Sequence, residues 1–160
     1  MIRLFKIYIL FFIIFSLTNC GFQPIYKTTD QNLNTVNYSI KFKNEPSYEI
    51  KNKIQEIFRS SSDNFYTIAL DTNQTSIPII INTNGTVSKY RIEIMIDFEV
   101  VETENNKKVY NDVVRGFAEY LVQVSEIQTS EKRKQAIQIA TQEAVQMMSA
   151  KIQSNILQSK

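Results

Sequence analysis

The 160 residues include no histidine and no tryptophan, a single cysteine, three glycines and three prolines. Without histidine there is no Ser-His-Asp or Cys-His nucleophile system and no His-ligated zinc. One cysteine forms neither an internal disulfide nor a four-cysteine metal site, and three glycines leave no room for a glycine-rich phosphate loop. The formal net charge of +2 is too small for a nucleic-acid-binding surface. The chain is long enough for one domain with its own core and too short for two. Catalysis, metal binding and cofactor binding all lack their usual residues, and the composition points to a protein that binds.

Hydrophobic residues are abundant, at 43% of the chain, and the densest run is at the start. Arg3 and Lys6 precede an apolar stretch from Ile7 to Leu17. Eleven residues is about half of the ~20 that span a bilayer as a helix, so the segment reads as the hydrophobic region of a signal peptide rather than an anchor. It ends at Leu17-Thr18-Asn19-Cys20, which resembles the lipobox of bacterial lipoproteins, in which a lipidated cysteine follows the cut. Cleavage would leave 16 basic against 16 acidic residues, because Arg3 and Lys6 are removed and no acid goes with them. Cys20 becomes the acylated first residue. Several acyl chains give stable membrane attachment where one does not. Gly21 stands where an aspartate commonly retains lipoproteins in the inner membrane, which favours the outer membrane and its periplasmic side. The expected organisation is a signal peptide over 1–19, a lipidated cysteine and tether over 20–35, and one α+β domain over 36–160.

Within that domain, Val36–Lys43 alternates apolar and polar residues, as a half-buried strand does. Pro46 suits the first turn of a helix running to about Ser60, with Ile50, Ile54, Ile57 and Phe58 on one face. Phe65–Leu70 starts a strand that a polar stretch interrupts and Ile77–Ile81 resumes, where Pro78 implies an edge or a bulge. Asn84-Gly85 marks a hairpin. Tyr90–Val100 alternates cleanly, with Glu93, Asp97 and Glu99 on its wet face, where they read as solvated side chains rather than an acid/base pair. A turn centred on Asn105-Asn106 leads to a strand over Val109–Val124, in which Gly116 implies a bulge or a close backbone approach. Ser125 and Gln128 fit a capping box, with Ser130 as an alternative later start, and Ile137, Ala140, Ala144, Met148, Ile152 and Ile156 form a helical stripe. Met147 and Met148 read as core filler, and Lys132-Arg133-Lys134 as a solvated face. Arg115, in phase with Val113 and Phe117, should have an anionic partner. The order β-α-β-β-β-α predicts a two-layer sandwich, a mixed four-stranded sheet with two helices on one face and a polar opposite face.

Cys20-Gly21-Phe22-Gln23-Pro24-Ile25-Tyr26 resembles the C-G-F-x-P-[LI]-Y start of the lipopolysaccharide-assembly lipoproteins of the LptE family, in their alphaproteobacterial form. Asn84-Gly85 followed by Lys89-Tyr90-Arg91, and the segment Val113-Val114-Arg115-Gly116-Phe117, are similar to that family in pattern. The resemblance implies a non-catalytic role: a one-to-one plug in the outer-membrane β-barrel protein LptD, assisting its assembly and the delivery of lipopolysaccharide to the outer leaflet. It also implies lipopolysaccharide contacts from basic residues. Arg115 matches one such position, and the other falls on Thr83, leaving Lys89 and Arg91 as substitutes. No cofactor, metal or nucleic acid is implied. Another reading keeps the acyl anchor but makes the chain an auxiliary lipoprotein of a different envelope transporter for lipid or solute. A small envelope hydrolase lacks a nucleophile-base pair.

Overall fold

The computed structural model describes residues 38–58 and 65–157, so the signal peptide, Cys20, the tether and the expected strand start at Val36 lie outside the described residues. The elements are β1 (Tyr38–Phe42), α1 (Tyr48–Ile57), β2 (Tyr66–Ile81), β3 (Val87–Glu102), β4 (Lys107–Leu121) and α2 (Glu126–Leu157). The sheet order is β1-β2-β3-β4, with β1 parallel to β2 and the other pairs antiparallel. This is the expected α+β sandwich. A parallel pair needs a crossover, and α1 supplies it.

The alternation of β3 decides which face is covered. Ile92, Ile94, Ile96, Phe98 and Val100 are all fully buried under the helices, each contributing about 1.5–3 kcal/mol of apolar burial. They pack with Ile68 and Leu70 of β2, Ile50 and Ile54 of α1, and Ala140, Ala144, Val145, Met148 and Ile152 of α2. At one end Tyr38 meets Phe58 edge-on at 6.5 Å, and at the other Tyr90 stacks on Tyr120 at 5.5 Å. Burial pushes the Tyr38 hydroxyl up to about 12, and the nearby Tyr66 adds to the shift.

Gly116 marks a close approach and not a bulge: its pairing with Ile94 is in regular register. A Cβ there would collide with the Ala140 carbonyl and lie 2.7 Å from the Ala144 amide nitrogen. The two small residues of α2 and the missing side chain of Gly116 let helix and strand backbones touch. At the Asn-Gly turn, Asn82 and Thr86 close a three-residue loop, with Asn82 N–H donating to Thr86 O at 2.8 Å. Gly85 takes φ +81°, the left-handed value such loops require.

Several local expectations are corrected. The polar stretch does not interrupt β2, which is one 16-residue strand. Its ladder with β3 is continuous through Asp71–Ser76, and backbone pairing does not need apolar side chains. Thr72 is buried there because Asn44 acts as a missing strand residue. The Asn44 amide accepts from Thr72 N–H at 3.2 Å and donates to Thr72 O at 2.5 Å. Pro78 does lie both at an edge, since β1 ends level with Leu70, and beside a register shift. Pro46 precedes α1 instead of entering it, with Ser47 as N-cap. β4 ends at Leu121, three residues early. No Ser125 capping box forms among the described hydrogen bonds. Thr129 instead ties the helix start to the preceding loop, its hydroxyl accepting from Gln123 N–H at 2.9 Å. Met148 is core, but Met147 is 38% exposed.

Candidate functional site

The face of the sheet away from the helices is built from the odd-numbered residues of β3 and β4. It is not the purely polar face that the alternation of β3 implies. β3 contributes Lys89, Arg91, Glu93, Met95, Asp97 and Glu99, but β4 sets Val113, Phe117 and Leu121 beside them. Phe117 is 43% and Leu121 55% exposed. The register makes the rows explicit: Lys89 faces Leu121, Arg91 faces Glu119, Glu93 faces Phe117, and Met95 faces Arg115.

All three basic candidates lie on this face, and each has a carboxylate. Arg115 Nε lies 3.2 Å from Glu93, which supplies its expected anionic partner, and its guanidinium also rests 3.8 Å from the Met95 sulfur. Arg91 donates to Glu119 through Nε at 3.2 Å and Nη2 at 2.8 Å. Lys89 pairs with the other oxygen of the same carboxylate. Lys89 and Arg91 together hold the Glu119 carboxyl below its ordinary range, Lys89 contributing more. A shallow depression lined by Arg91, Phe117, Ala118 and Glu119 opens beside this cluster.

A third carboxylate, Glu99, bridges Lys43 at 3.0 Å and Lys108 at 3.2 Å, and these lysines lower its pKa in that order. Neither lysine is among the sequence candidates. Lys108 is displaced by the β-bulge at Val100/Val101, and Lys43 follows a strand whose partner cannot be read from one sequence. The phase of Val113, Phe117 and Leu121 was the available signal for the apolar strip. Thr83 sits in the exposed hairpin loop. Lys132, Arg133 and Lys134 are exposed on α2, as expected of a solvated run.

Exposed ion pairs such as these are worth roughly 0–1 kcal/mol each, so a polyanion can displace Glu119 or Glu93 at little cost. Phosphate suits the forked donors of arginine. The apolar strip beside them fits hydrocarbon or protein surface. Among the described residues no three potential ligands gather as a metal-holding group, and no helix is long and apolar enough to cross a membrane.

No family model and no curated protein matches the chain. Solved structures do share its fold. A lipoprotein candidate from Caulobacter crescentus aligns with TM-score 0.63 and 12% identity, over 80% of this chain and 94% of that one. Rare lipoprotein B from Shewanella oneidensis aligns with TM-score 0.59 and 13% identity, over 77% and 98%. An uncharacterized lipoprotein B from Nitrosomonas europaea gives 0.57 and 10%, over 78% and 84%. Between 84% and 98% of each of these chains is matched, and the chain shares their fold.

Proposed function

We propose that the chain is a lipid-anchored envelope protein of the LptE kind. It binds an outer-membrane β-barrel of the LptD kind one-to-one and assists delivery of lipopolysaccharide to the outer leaflet. The observation that carries this reading is the β-α-β-β-β-α sandwich shared with lipoproteins over nearly their full length, on a chain whose start resembles a lipobox at Cys20. The outer sheet face supports it, because paired charges beside an apolar strip suit a wide contact with a polar barrel interior. Lys89, Arg91 and Arg115 are the lipopolysaccharide contacts. Ligand phosphates replace Glu119 and Glu93, and acyl chains lie along Val113, Phe117 and Leu121. The protein acts by binding, without catalysis.

Depletion of the protein should lower surface lipopolysaccharide and impair maturation of the barrel, both measurable on intact cells. Unchanged levels of both reject the reading, as does purification from membranes with a transporter ATPase complex and no barrel. Cys20→Ser should move the chain from the membrane to the soluble fraction. Arg115→Glu should weaken lipopolysaccharide binding by about tenfold, the loss of one charge-assisted contact.

A further inference from the structure

The three cations of the outer face are not equally committed. Arg115 holds Glu93 through a single contact, Nε at 3.2 Å. Glu119 is shared between two. Arg91 reaches one of its oxygens with Nε at 3.2 Å and Nη2 at 2.8 Å, and Lys89 takes the other. Register makes the sharing possible. Arg91 stands directly opposite Glu119, and Lys89 lies two residues along the same face of β3, about 7 Å away. Two like charges that close repel each other, and the carboxylate between them neutralises one and aims both. Glu119 also lines the shallow depression with Arg91, Phe117 and Ala118. The side chains of the bridge are 29–46% exposed, so it is open to exchange instead of being locked in the core.

We propose that Glu119 is the resident counter-ion of a phosphate site, a side chain that occupies the place of the ligand's anion and sets how tightly that anion is held. This role rests on the lipopolysaccharide reading above and adds to it a residue that opposes binding. The donors suit such an exchange. A carboxylate offers two oxygens, and here both are engaged. A phosphate monoester offers three and carries about −1.5 to −2 charge at pH 7, so it matches two cations where Glu119 matches one. The forked guanidinium of Arg91 accepts either anion. What the ligand gains is therefore the difference between two anions on the same donors, not the full strength of its own contacts. Glu119 is part of the facing strand, so it competes at high effective concentration. Once displaced, it remains beside the incoming phosphate and repels it. A chain that hands its lipid on must release it as well as capture it, and a built-in competitor that returns as the phosphate leaves shortens the stay.

Glu119→Gln keeps the shape of the side chain and removes its charge. In the full-length chain it should bind purified lipopolysaccharide about tenfold tighter, with slower release, read by titration and by dissociation from an immobilised surface. Lipopolysaccharide stripped of its phosphates should show no such gain. Glu104→Gln removes the same charge from the turn at the other end of the sheet. That turn is eleven or more residues from Arg91 along β3, about 36 Å and several screening lengths, so the affinity should not change. If Glu119→Gln misfolds, Glu119→Asp, whose carboxylate is one methylene short of the shared position, should show part of the gain. Arg91→Gln probes the underlying lipid reading and should weaken binding. Weaker binding in Arg91→Gln with no gain in Glu119→Gln or Glu119→Asp overturns the counter-ion role and leaves the lipopolysaccharide contact standing. No change in any of these variants overturns both. An equal gain in Glu104→Gln, or on phosphate-free lipopolysaccharide, assigns the effect to overall charge or to apolar contact and overturns the counter-ion role as well.

Discussion

Asp112 gathers three donors at the start of β4: Lys151 Nζ at 2.5 Å, the Val113 amide at 2.7 Å and the Tyr110 hydroxyl at 2.9 Å. The lysine first, then the amide and the hydroxyl, hold its carboxyl at about 2. A carboxyl depressed in the folded state stabilises above its unfolded value, near 4, and that contribution is lost as pH falls through the folded value. Thermal melting should therefore fall between about pH 4 and pH 2. Asp112→Asn should flatten that part of the profile and cost under about 1 kcal/mol at neutral pH, because the pair is open to water. The opposite situation holds two strands away. Asp71 and Asp97 face each other directly across β2 and β3, and both are exposed. Like charges in facing positions are destabilising, so Asp71→Asn should raise stability by about 0.2–1 kcal/mol, more at low salt than at high. Equal melting temperatures at low salt would show that the two carboxylates lean apart.

At the scale of elements, the contact of α2 with β4 rests on the absence of one side chain. Gly116→Ala should destabilise by about 1–3 kcal/mol or more, because the helix must lift from the strand to admit a methyl group. The corresponding change at Gly85, with open space around it, should cost only its backbone strain. Denaturant unfolding of the two variants measures the difference. Gly116 was legible in the sequence as an anomaly in a strand, although not which of two explanations applied. β3 was legible almost residue by residue, because burial on one face imposes a period of two. The stripe of α2 was legible for the same reason at its own period. The middle of β2 was not. Its side chains are polar on both faces, Thr72 even being buried, so nothing in their hydrophobicity records that the backbone is fully paired with β3. The ion pairs around Glu99 and Glu119 were equally hidden, since they depend on register across strands. Only the pairing of β3 with β4 brings Arg91 to Glu119 and Arg115 to Glu93.

For the molecule as a whole, the two sides of one sheet divide the work. One side is closed by helices and supplies the stability. The other keeps cations, carboxylates and an apolar strip accessible, which is an arrangement for contact. The candidate site was therefore only half visible beforehand: its cations stood out, while their counter-ions and the hydrocarbon beside them did not. The way the chain enters this sheet has a mechanical consequence. Residues 1–37 lead directly into β1, which runs parallel to β2 through five paired residues, Tyr38 with Tyr66 to Phe42 with Leu70. A force applied at Tyr38 along the axis of β1 would load those rungs together in shear, instead of peeling them one after another. A domain tethered by its leader would thus resist traction through its shortest strand collectively.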